Sequence, residues 1–536
     1  MAVDTETITK TERIAIGLSL CSSHNGAFYF PLFPKQSQSV PWQLLRDPDV
    51  VNVYHNGLFD LEALSEYNVK QIIQDTNVMG RLLCHASNTL EDLSNQYRIA
   101  CPSTPKLLAE YKVKSMLDIP EIVVARHCML HSMATLKLYH IFFPQMNHAY
   151  YDAELATYPI MLEMSERGIL LDQDERERIE CCLEEDLSKA EQSCADIAAF
   201  NPGSPQQVSY VLAERGAYGV FTRLPFTSDK FGRRTTKLSS DASVLEAMDD
   251  PLAALILSYR QKKKLLGTYI KPWAGEERAR CRYHLEAATG RPSSTDRNMQ
   301  NIPGKFAKTG IENDYNCRGV LLPDSGVWTD VDFSQVEPRA LAYLSGDKEM
   351  NWIFSQPKFL PDGTKNPDAD IHGQVATFMD VTRKLGKVVN LAMSYGATDE
   401  TIMEIAKIRD KSRATELRKM WGRKFPQAMD WIESSQQQAL KTRIVYSAFG
   451  RAMRISDEES NARVKRCAVD YPCQATAADV FKRGLIALAG REMDLALQVH
   501  DEFLVDGYHP ESDFECLRNI GPFETPYEVK YHERWE

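Results

Sequence analysis

LQVHDEFLVD, Leu497 to Asp506, sets three ionisable side chains in a row, His500, Asp501 and Glu502, between two short apolar runs. The pattern reads as strand, tight turn, strand, with the polar triplet on the connection where water, metal or substrate can reach it. Alone, such a triplet is more often a charged hairpin tip. A second acidic strand end changes the balance. In VWTDVDFSQVE, Val327 to Glu337, the residues Val327, Thr329, Val331 and Phe333 alternate with Trp328, Asp330 and Asp332. Carboxylates on two neighbouring strands make a metal site, because hard divalent cations such as magnesium take oxygen ligands, keep several waters and serve phosphoryl transfer as a pair. The candidate ligands are Asp332 and Asp501.

Between these stretches lies RKLGKVVNLAMSYG, Arg383 to Gly396. Arg383, Lys387, Leu391 and Tyr395 recur every four residues, so on a helix they form one drifting stripe with Asn390 beside it. One face then carries two cations followed by an apolar and an aromatic side chain. The cations can neutralise a triphosphate, and the apolar part can pack on a sugar or base. A basic amphipathic helix on its own is more often a solvated face; set between two acidic strand ends, it is a substrate face.

DVDFSQVEPRALAYLSGD, RKLGKVVNLAMSYG and VHDEFLVD resemble, in that order, motifs A, B and C of the family A, DNA polymerase I-like, DNA polymerases. ATGRPSSTDRNMQNIP, Ala288 to Pro303, is similar to the family segment that precedes motif A, and TPYEVKYHERW to its C-terminal strand. The resemblance implies an α/β and α+β multidomain chain: an RNase H-like 3′–5′ exonuclease-like domain over 1–150, then a right-hand polymerase with thumb 151–285, palm 286–345, fingers 346–450 and palm again 451–536. It implies DNA-templated extension of a primer with dNTPs by two Mg2+ ions on Asp332 and Asp501, with Glu502 beside them. Lys387 and Arg383 would meet the triphosphate, His372 would approach it, and Gln335, Leu391 and Tyr395 would line the nucleotide site. Glu337 would wall off the ribose 2′ position, with Arg339 supporting by a salt bridge. Arg291, Gln300, Asn301, Arg466, Gln474 and His500 would face DNA. Four positions depart from the family pattern: Pro338 replaces leucine, where a missing N–H limits the helix; Leu391 replaces an aromatic residue; Asp470 stands for asparagine and Ala475 for glycine.

Near the N-terminus a separate acidic set appears: Asp4 and Glu6 in DTET, Asp60 in YHNGLFD, and Asp75 in QDT. These are similar to the first two motifs of the proofreading exonuclease, and Asp75 alone reads equally as a surface acid. The resemblance implies Asp4 and Glu6 on the metal of the attacking water and Asp60 on a second metal, Mg2+ or Mn2+. The third motif departs, because RHCMLHSMATLKLY puts His127 where tyrosine is usual and His131 where aspartate is usual. Imidazole is a neutral and softer ligand that suits magnesium poorly, so weakened or manganese-shifted hydrolysis is expected.

From 151 to 285 the pattern is helical, with a long mixed-charge helix from Glu180 to Ala199 and a basic cluster, Arg260, Lys262, Lys263 and Lys264, beside Tyr269. This stretch resembles a thumb gripping duplex through sequence-indifferent phosphate contacts. The Arg-, Lys-, Gly- and Ser-rich stretch between Thr222 and Thr236 reads as a mobile loop.

Length, 536 residues, calls for several cores, and 43% hydrophobic with 26% charged residues marks a globular chain. MAVDTET is too acidic for a signal peptide and no apolar run spans a bilayer, so a cytoplasmic protein, in a host if phage-encoded, is expected. Twelve cysteines without CxxC spacing fit reduced thiols. A net charge of −11 argues weakly against a blanket nucleic-acid binder and leaves room for local basic grooves. Two other classes share parts of this pattern. A single-subunit phage-type RNA polymerase shares the palm, but Glu337 as a 2′ wall and the exonuclease-like front oppose it. A silent DNA-binding protein is opposed by the joint presence of Asp332, Asp501, Lys387 and Arg383. The expected partners are primer-template DNA, dNTPs and replisome proteins, with no membrane, for a monomer of phage type lacking a 5′ nuclease region.

Overall fold

The computed structural model describes residues 1–9, 12–23, 26–33, 39–69, 74–216, 226–228, 234–246, 248, 250–304 and 315–536. The expected loop between Thr222 and Thr236 lies outside them, apart from 226–228 and 234–236.

The N-terminal region is built on a five-stranded sheet ordered Gly26–Pro31, Ala15–Ser23, Ala2–Thr7, Val53–Tyr54, Gln74–Asp75. The first three strands are antiparallel and the last two join in parallel. Ala2–Thr7 lies centrally, and all its residues are buried except the half-buried Asp4, so its acids sit in the sheet rather than on a rim. The helix Glu121–Phe142 packs across this sheet and supplies Cys128 and Leu136 to its core. Asp75 corrects the surface-acid reading. It is fully buried and accepts hydrogen bonds from the N–H groups of Asn56, Gly57 and Asn77 and from the Tyr158 hydroxyl. It thereby caps the helix Thr76–Leu82.

Next come the helices His148–Arg167 and Gln173–Ile197, the second starting seven residues before the expected Glu180 because Asp172 caps it through the Glu175 N–H. Cys194, Val208, Leu212, Leu252 and Ile256 form a small separate core between Gln173–Ile197, Pro205–Glu214 and Pro251–Leu265.

The C-terminal half is organised by a four-stranded antiparallel sheet, ordered Leu495–Val499, Glu502–Asp506, Trp328–Phe333, Tyr527–His532. The alternation read from VWTDVDF places Val331 and Phe333 in the core. Behind the sheet runs the 29-residue helix Asn461–Ala489. Phe481 stacks on Phe503 with ring centroids 4.1 Å apart, and Gly484 permits the approach, since a Cβ there would fall 2.8 Å from the Phe503 ring. Burial of each such ring contributes about 1.5–3 kcal/mol. Between the two sequence halves of this sheet, six helices from Lys348–Ser355 to Pro426–Thr442 pack around Val389, Met393, Trp421, Phe425 and Ile432 as a second core. Among the described residues no helix is long and apolar enough to cross a membrane.

Candidate active site

The sheet brings the two acidic motifs together. Asp332 lies directly opposite Glu502 on one neighbouring strand and Glu528 on the other. The strand pair Leu495–Val499 and Glu502–Asp506 turns through His500 and Asp501, with His500 in the left-handed region at φ 52°, as a tight hairpin turn requires. The Phe333 N–H donates to the Asp501 carbonyl at 3.0 Å, which pins the turn to the strand carrying Asp332.

These carboxylates burden one another. Burial, then Asp501 and Glu502, push Asp332 up to about 7 despite Lys530. Burial, then Asp330, push Glu502 up to about 7 against Arg318. Asp330, raised to about 6 by burial first, keeps a buried Oδ1 with no hydrogen-bond partner. Asp501 is raised chiefly by burial, with Arg291 pulling the other way. Among the described residues neither Asp332 nor Asp501 makes an ion pair. Arg318 and His532 stand against Glu502 and Asp330, but Asp332 and Asp501 themselves offer unpaired oxygen donors, which fit hard divalent cations. Glu502 is tied back, since Trp535 Nε1 donates to its Oε1 at 2.7 Å and Arg318 stands 3.9 Å from Oε2. Asp330 and Glu528 are additions to the expected set; the two-residue spacing from Asp332 and the EVKYH alternation were their only signals.

Along the helix Arg383–Ser394, Arg383 and Lys387 are exposed and Leu391 half-buried, with the C-cap Tyr395 exposed. Gly396, at φ 69°, follows the C-cap Tyr395 and ends the helix. Arg383 forks onto Asp370 at 2.7 and 3.1 Å. His372 is lowered by burial, so its neutral ring accepts at Nδ1 from the Asn390 amide, 3.2 Å away, while Asn390 Oδ1 accepts from Trp421 Nε1 at 2.9 Å. This network assigns the ring proton to Nε2.

Glu337 is gripped at both oxygens: Arg291 pairs with Oε1, and the Tyr395 hydroxyl donates to Oε2 at 2.7 Å. Gln335, left-handed at φ 55°, starts the helix Val336–Ser345. Pro338 falls in that helix's first turn, where an N–H has no intrahelical partner, and the helix runs on to Ser345. The expected local break is therefore absent. Arg339 is a further correction. Its Nη1 donates to the Phe354 carbonyl at 3.1 Å and its guanidinium lies 4.9 Å from the Phe354 ring, with no carboxylate partner among the described residues.

Of the residues expected to face DNA, Gln300 is only 7% exposed. Its amide donates to Gln498 Oε1 at 2.9 Å, so it braces the hairpin from below rather than presenting a contact surface. Asn301, Arg466 and His500 are exposed, and Gln474 donates to Asp470 Oδ1 at 2.5 Å. In the basic helix, Lys262 pairs with Asp186 at 2.5 Å and Arg260 bonds the carbonyls of Ser240 and Pro202, leaving Lys263 and Lys264 as its exposed cations. A buried network not foreseen joins Glu154 to Arg451 and Lys482, and Arg451 to Asp479.

At the N-terminal sheet, Asp4, Glu6, Asp60, His127 and His131 converge as expected. His127 Nε2 is 3.7 Å from Glu6 Oε1; His131 Nδ1 is 3.7 Å from Asp4 Oδ1 and 4.0 Å from Glu6 Oε1. Burial and then Asp4 push Glu6 up to about 8. Burial holds His127 down at about 4; for His131 burial is outweighed by the Asp4 and Glu6 carboxylates, which raise it. Asp60 is engaged, with the N–H and hydroxyl of Thr5 both on its Oδ1 at 3.0 and 2.7 Å. An imidazole at the position of a fourth carboxylate, with a second at that of a tyrosine, does not fit a magnesium pair.

A sheet carrying acids at a strand and an adjoining turn, backed by a long helix and interrupted by a helical insertion bearing cations, is the arrangement of the palm-based polymerases. Residues 173–518 match the family model for DNA polymerase family A, and the chain belongs to that family. It is 31% identical over 396 residues to DNA polymerase I of Caldicellulosiruptor bescii, covering 68% of this chain and 43% of that protein. It is 29% identical over 419 residues to the thermostable DNA polymerase I of Thermus thermophilus, covering 71% and 47%. It is 27% identical to DNA polymerase I of Chloroflexus aurantiacus over an alignment of 563 residues, covering 96% and 57%. The chain thus spans about half the length of these relatives. The fold is that of the POL domain of Pol1 from M. smegmatis, solved in complex with DNA primer-template and dNTP, with a TM-score of 0.77, 20% identity and coverage of 100% of this chain and 95% of that one.

Proposed function

We propose that the chain extends a primer 3′ end on a DNA template with dNTPs, releasing pyrophosphate. The observation that carries this reading is the hydrogen bond from the Phe333 N–H to the Asp501 carbonyl, which holds Asp332 and Asp501 side by side in a cluster short of positive charge. Asp332 and Asp501 would hold two magnesium ions, which activate the attacking hydroxyl and stabilise the charge of the departing phosphate. Asp330 and Glu528 add field to the cluster, and Glu502 is anchored by Trp535. Lys387 meets charge as it develops on the leaving pyrophosphate, which favours the transition state over the ground state. Arg383 leaves Asp370 for the incoming triphosphate, and His372 offers its Nε2–H there. Glu337, braced by Arg291 and Tyr395, excludes a 2′ hydroxyl, and this supports deoxyribonucleotides over the RNA polymerase alternative.

In this reading 151–285 is the thumb, 286–345 and 451–536 the palm, and 346–450 the fingers. The region 1–150 is an RNase H-like derivative of a proofreading domain, its strand order supporting the fold and its histidines opposing magnesium-dependent hydrolysis. The test is extension of a labelled primer. Asp332→Asn and Asp501→Asn are expected to abolish extension while binding of primer-template persists; extension at near wild-type rate in either variant overturns the assignment.

A further inference from the structure

We propose that the N-terminal cluster holds a single borderline transition-metal ion of the zinc type, on Glu6, His127 and His131 with Asp4 beside them. Four observations carry this.

Ligand atoms of Glu6, His127 and His131 all lie within 4.8 Å of one another. The separations of 3.7–4.0 Å between the imidazole nitrogens and the carboxylates are too long for hydrogen bonds. They leave room for an ion between donors that do not bond each other.

His131 Nε2 donates to the Pro102 carbonyl at 2.8 Å. That bond fixes the ring orientation and turns Nδ1 toward Asp4 and Glu6, which is how metal-ligating histidines are oriented by a backbone carbonyl behind them.

Asp4 Oδ2 is buried without a hydrogen-bond partner in the same place. Finally, the donor set is chosen for the ion. Two imidazoles with one or two carboxylates suit zinc and its neighbours, whereas magnesium wants oxygens throughout. His127 Nε2 is 3.0 Å from the Thr104 hydroxyl, a partner that can rotate away when the nitrogen takes an ion. Asp60, whose Oδ1 is taken by the N–H and hydroxyl of Thr5, is not one of the three residues whose donor atoms converge. The ion joins the central strand Ala2–Thr7 to the helix Glu121–Phe142, a cross-link between the two elements that build this half of the molecule.

A competing triad, Asp4, Glu6 and the Cys128 thiol, shares two of the acids. The test separates them. Full-length chain is dialysed against micromolar Zn2+ in millimolar Mg2+, which occupies the oxygen-only cluster of the palm. One zinc per chain is expected in wild type and in Asp332→Asn and Cys128→Ser. In His131→Ala its affinity should fall by more than the roughly 10–100-fold that loss of an outer-shell partner brings. His131→Asp should exchange zinc preference for magnesium. Co2+-loaded wild type, which needs no variant to fold, should show visible d–d absorption without a thiolate charge-transfer band. No retained zinc in wild type, undiminished zinc in a folded His131→Ala, or a thiolate band overturns the proposal. None of these outcomes bears on primer extension.

Discussion

Glu337 gives the sharpest quantitative test of the nucleotide site. Its carboxylate has no oxygen to spare: Arg291 holds Oε1 and the Tyr395 hydroxyl holds Oε2 at 2.7 Å. A free carboxylate would welcome a ribose 2′ hydroxyl as a hydrogen-bond donor. One held at both oxygens keeps a free lone pair on each but is fixed in orientation, so the hydroxyl meets it as bulk rather than as an acceptor that can turn to it. Removing the wall in Glu337→Ala relieves that conflict, a change of about 1–3 kcal/mol, or about 10–200-fold, in discrimination. Tyr395→Phe removes only the second brace, a bond to a charged group whose loss is about 1.5–3 kcal/mol at most. Arg291 still holds the carboxylate, so discrimination should fall by less than in Glu337→Ala. Glu337→Gln keeps the length but loses the charge facing Arg291, and should also lie between wild type and alanine. Single-nucleotide incorporation, comparing kcat/KM for a dNTP with that for the matching rNTP, gives the ratio for all four proteins. If Glu337→Ala stays within twofold of wild-type discrimination, another side chain forms the wall and the reasoning fails.

Other perturbations probe the supports. Gln300→Leu leaves Gln498 Oε1 buried without its donor, about 1–3 kcal/mol; kcat for extension should drop with primer-template affinity unchanged, whereas a loss confined to DNA affinity would restore Gln300 as a DNA contact. Lys482→Met strips a partner from buried Glu154 and should destabilise the chain by about 3–5 kcal/mol in a denaturant titration; a shift under about 1 kcal/mol would show the network to be dispensable. Glu154 falls to about 2 because Arg451 and Lys482 outweigh its burial. Its contribution is therefore present above the ordinary carboxylate range and lost as pH falls through about 2. Lys482 is lowered to about 8 by burial, so its contribution runs the other way: a penalty below pH 8 that is relieved as pH rises toward 10.5. Wild type starts the more stable and gains as pH rises, so its margin over Lys482→Met should widen across pH 8 to 10.5, and parallel curves would contradict the assignment.

What could be read from residues alone was periodic or local. The four-residue repeat of Arg383, Lys387, Leu391 and Tyr395 fixes a helix face whatever surrounds it, and Gly396 marks its end through its own backbone freedom. The alternation in VWTDVDF puts Val331 and Phe333 in the core, but Trp328 on the opposite face is buried as well, because the strand is covered on both sides. Roles that depend on a partner far along the chain were not legible. Gln300 braces Gln498 across 198 residues, and Glu154 meets Arg451 across 297. Arg339 was expected from the resemblance to support the site by a salt bridge, yet it bonds the Phe354 carbonyl and lies over the Phe354 ring, with its Nε buried and without a partner. Pro338 carried the wrong weight for a related reason: its effect depends on its place in the helix, and in the first turn the missing N–H removes no bond.

The two acidic clusters show why carboxylate spacing alone does not specify a metal. Each places acids two residues apart on a central strand, Asp4 with Glu6 and Asp330 with Asp332, and in each burial raises carboxylates above their ordinary range. What differs is the neighbouring element. Beside Asp332 a hairpin turn delivers another carboxylate, Asp501, so the cluster gains oxygen and negative charge together. Beside Glu6 a helix delivers His127 and His131, which add nitrogen donors and, when protonated, positive charge. In the first cluster Arg318 and His532 stand against Glu502 and Asp330, while Asp332 and Asp501 have no ion-pair partner among the described residues and are left for hard cations. The second holds part of its neutralisation in its own side chains, so an ion entering there must compete with a proton on His131 and be soft enough to prefer imidazole. A chain that uses one divalent ion for catalysis can therefore keep a second acidic site from drawing on the same ion, by the identity of two residues on one helix.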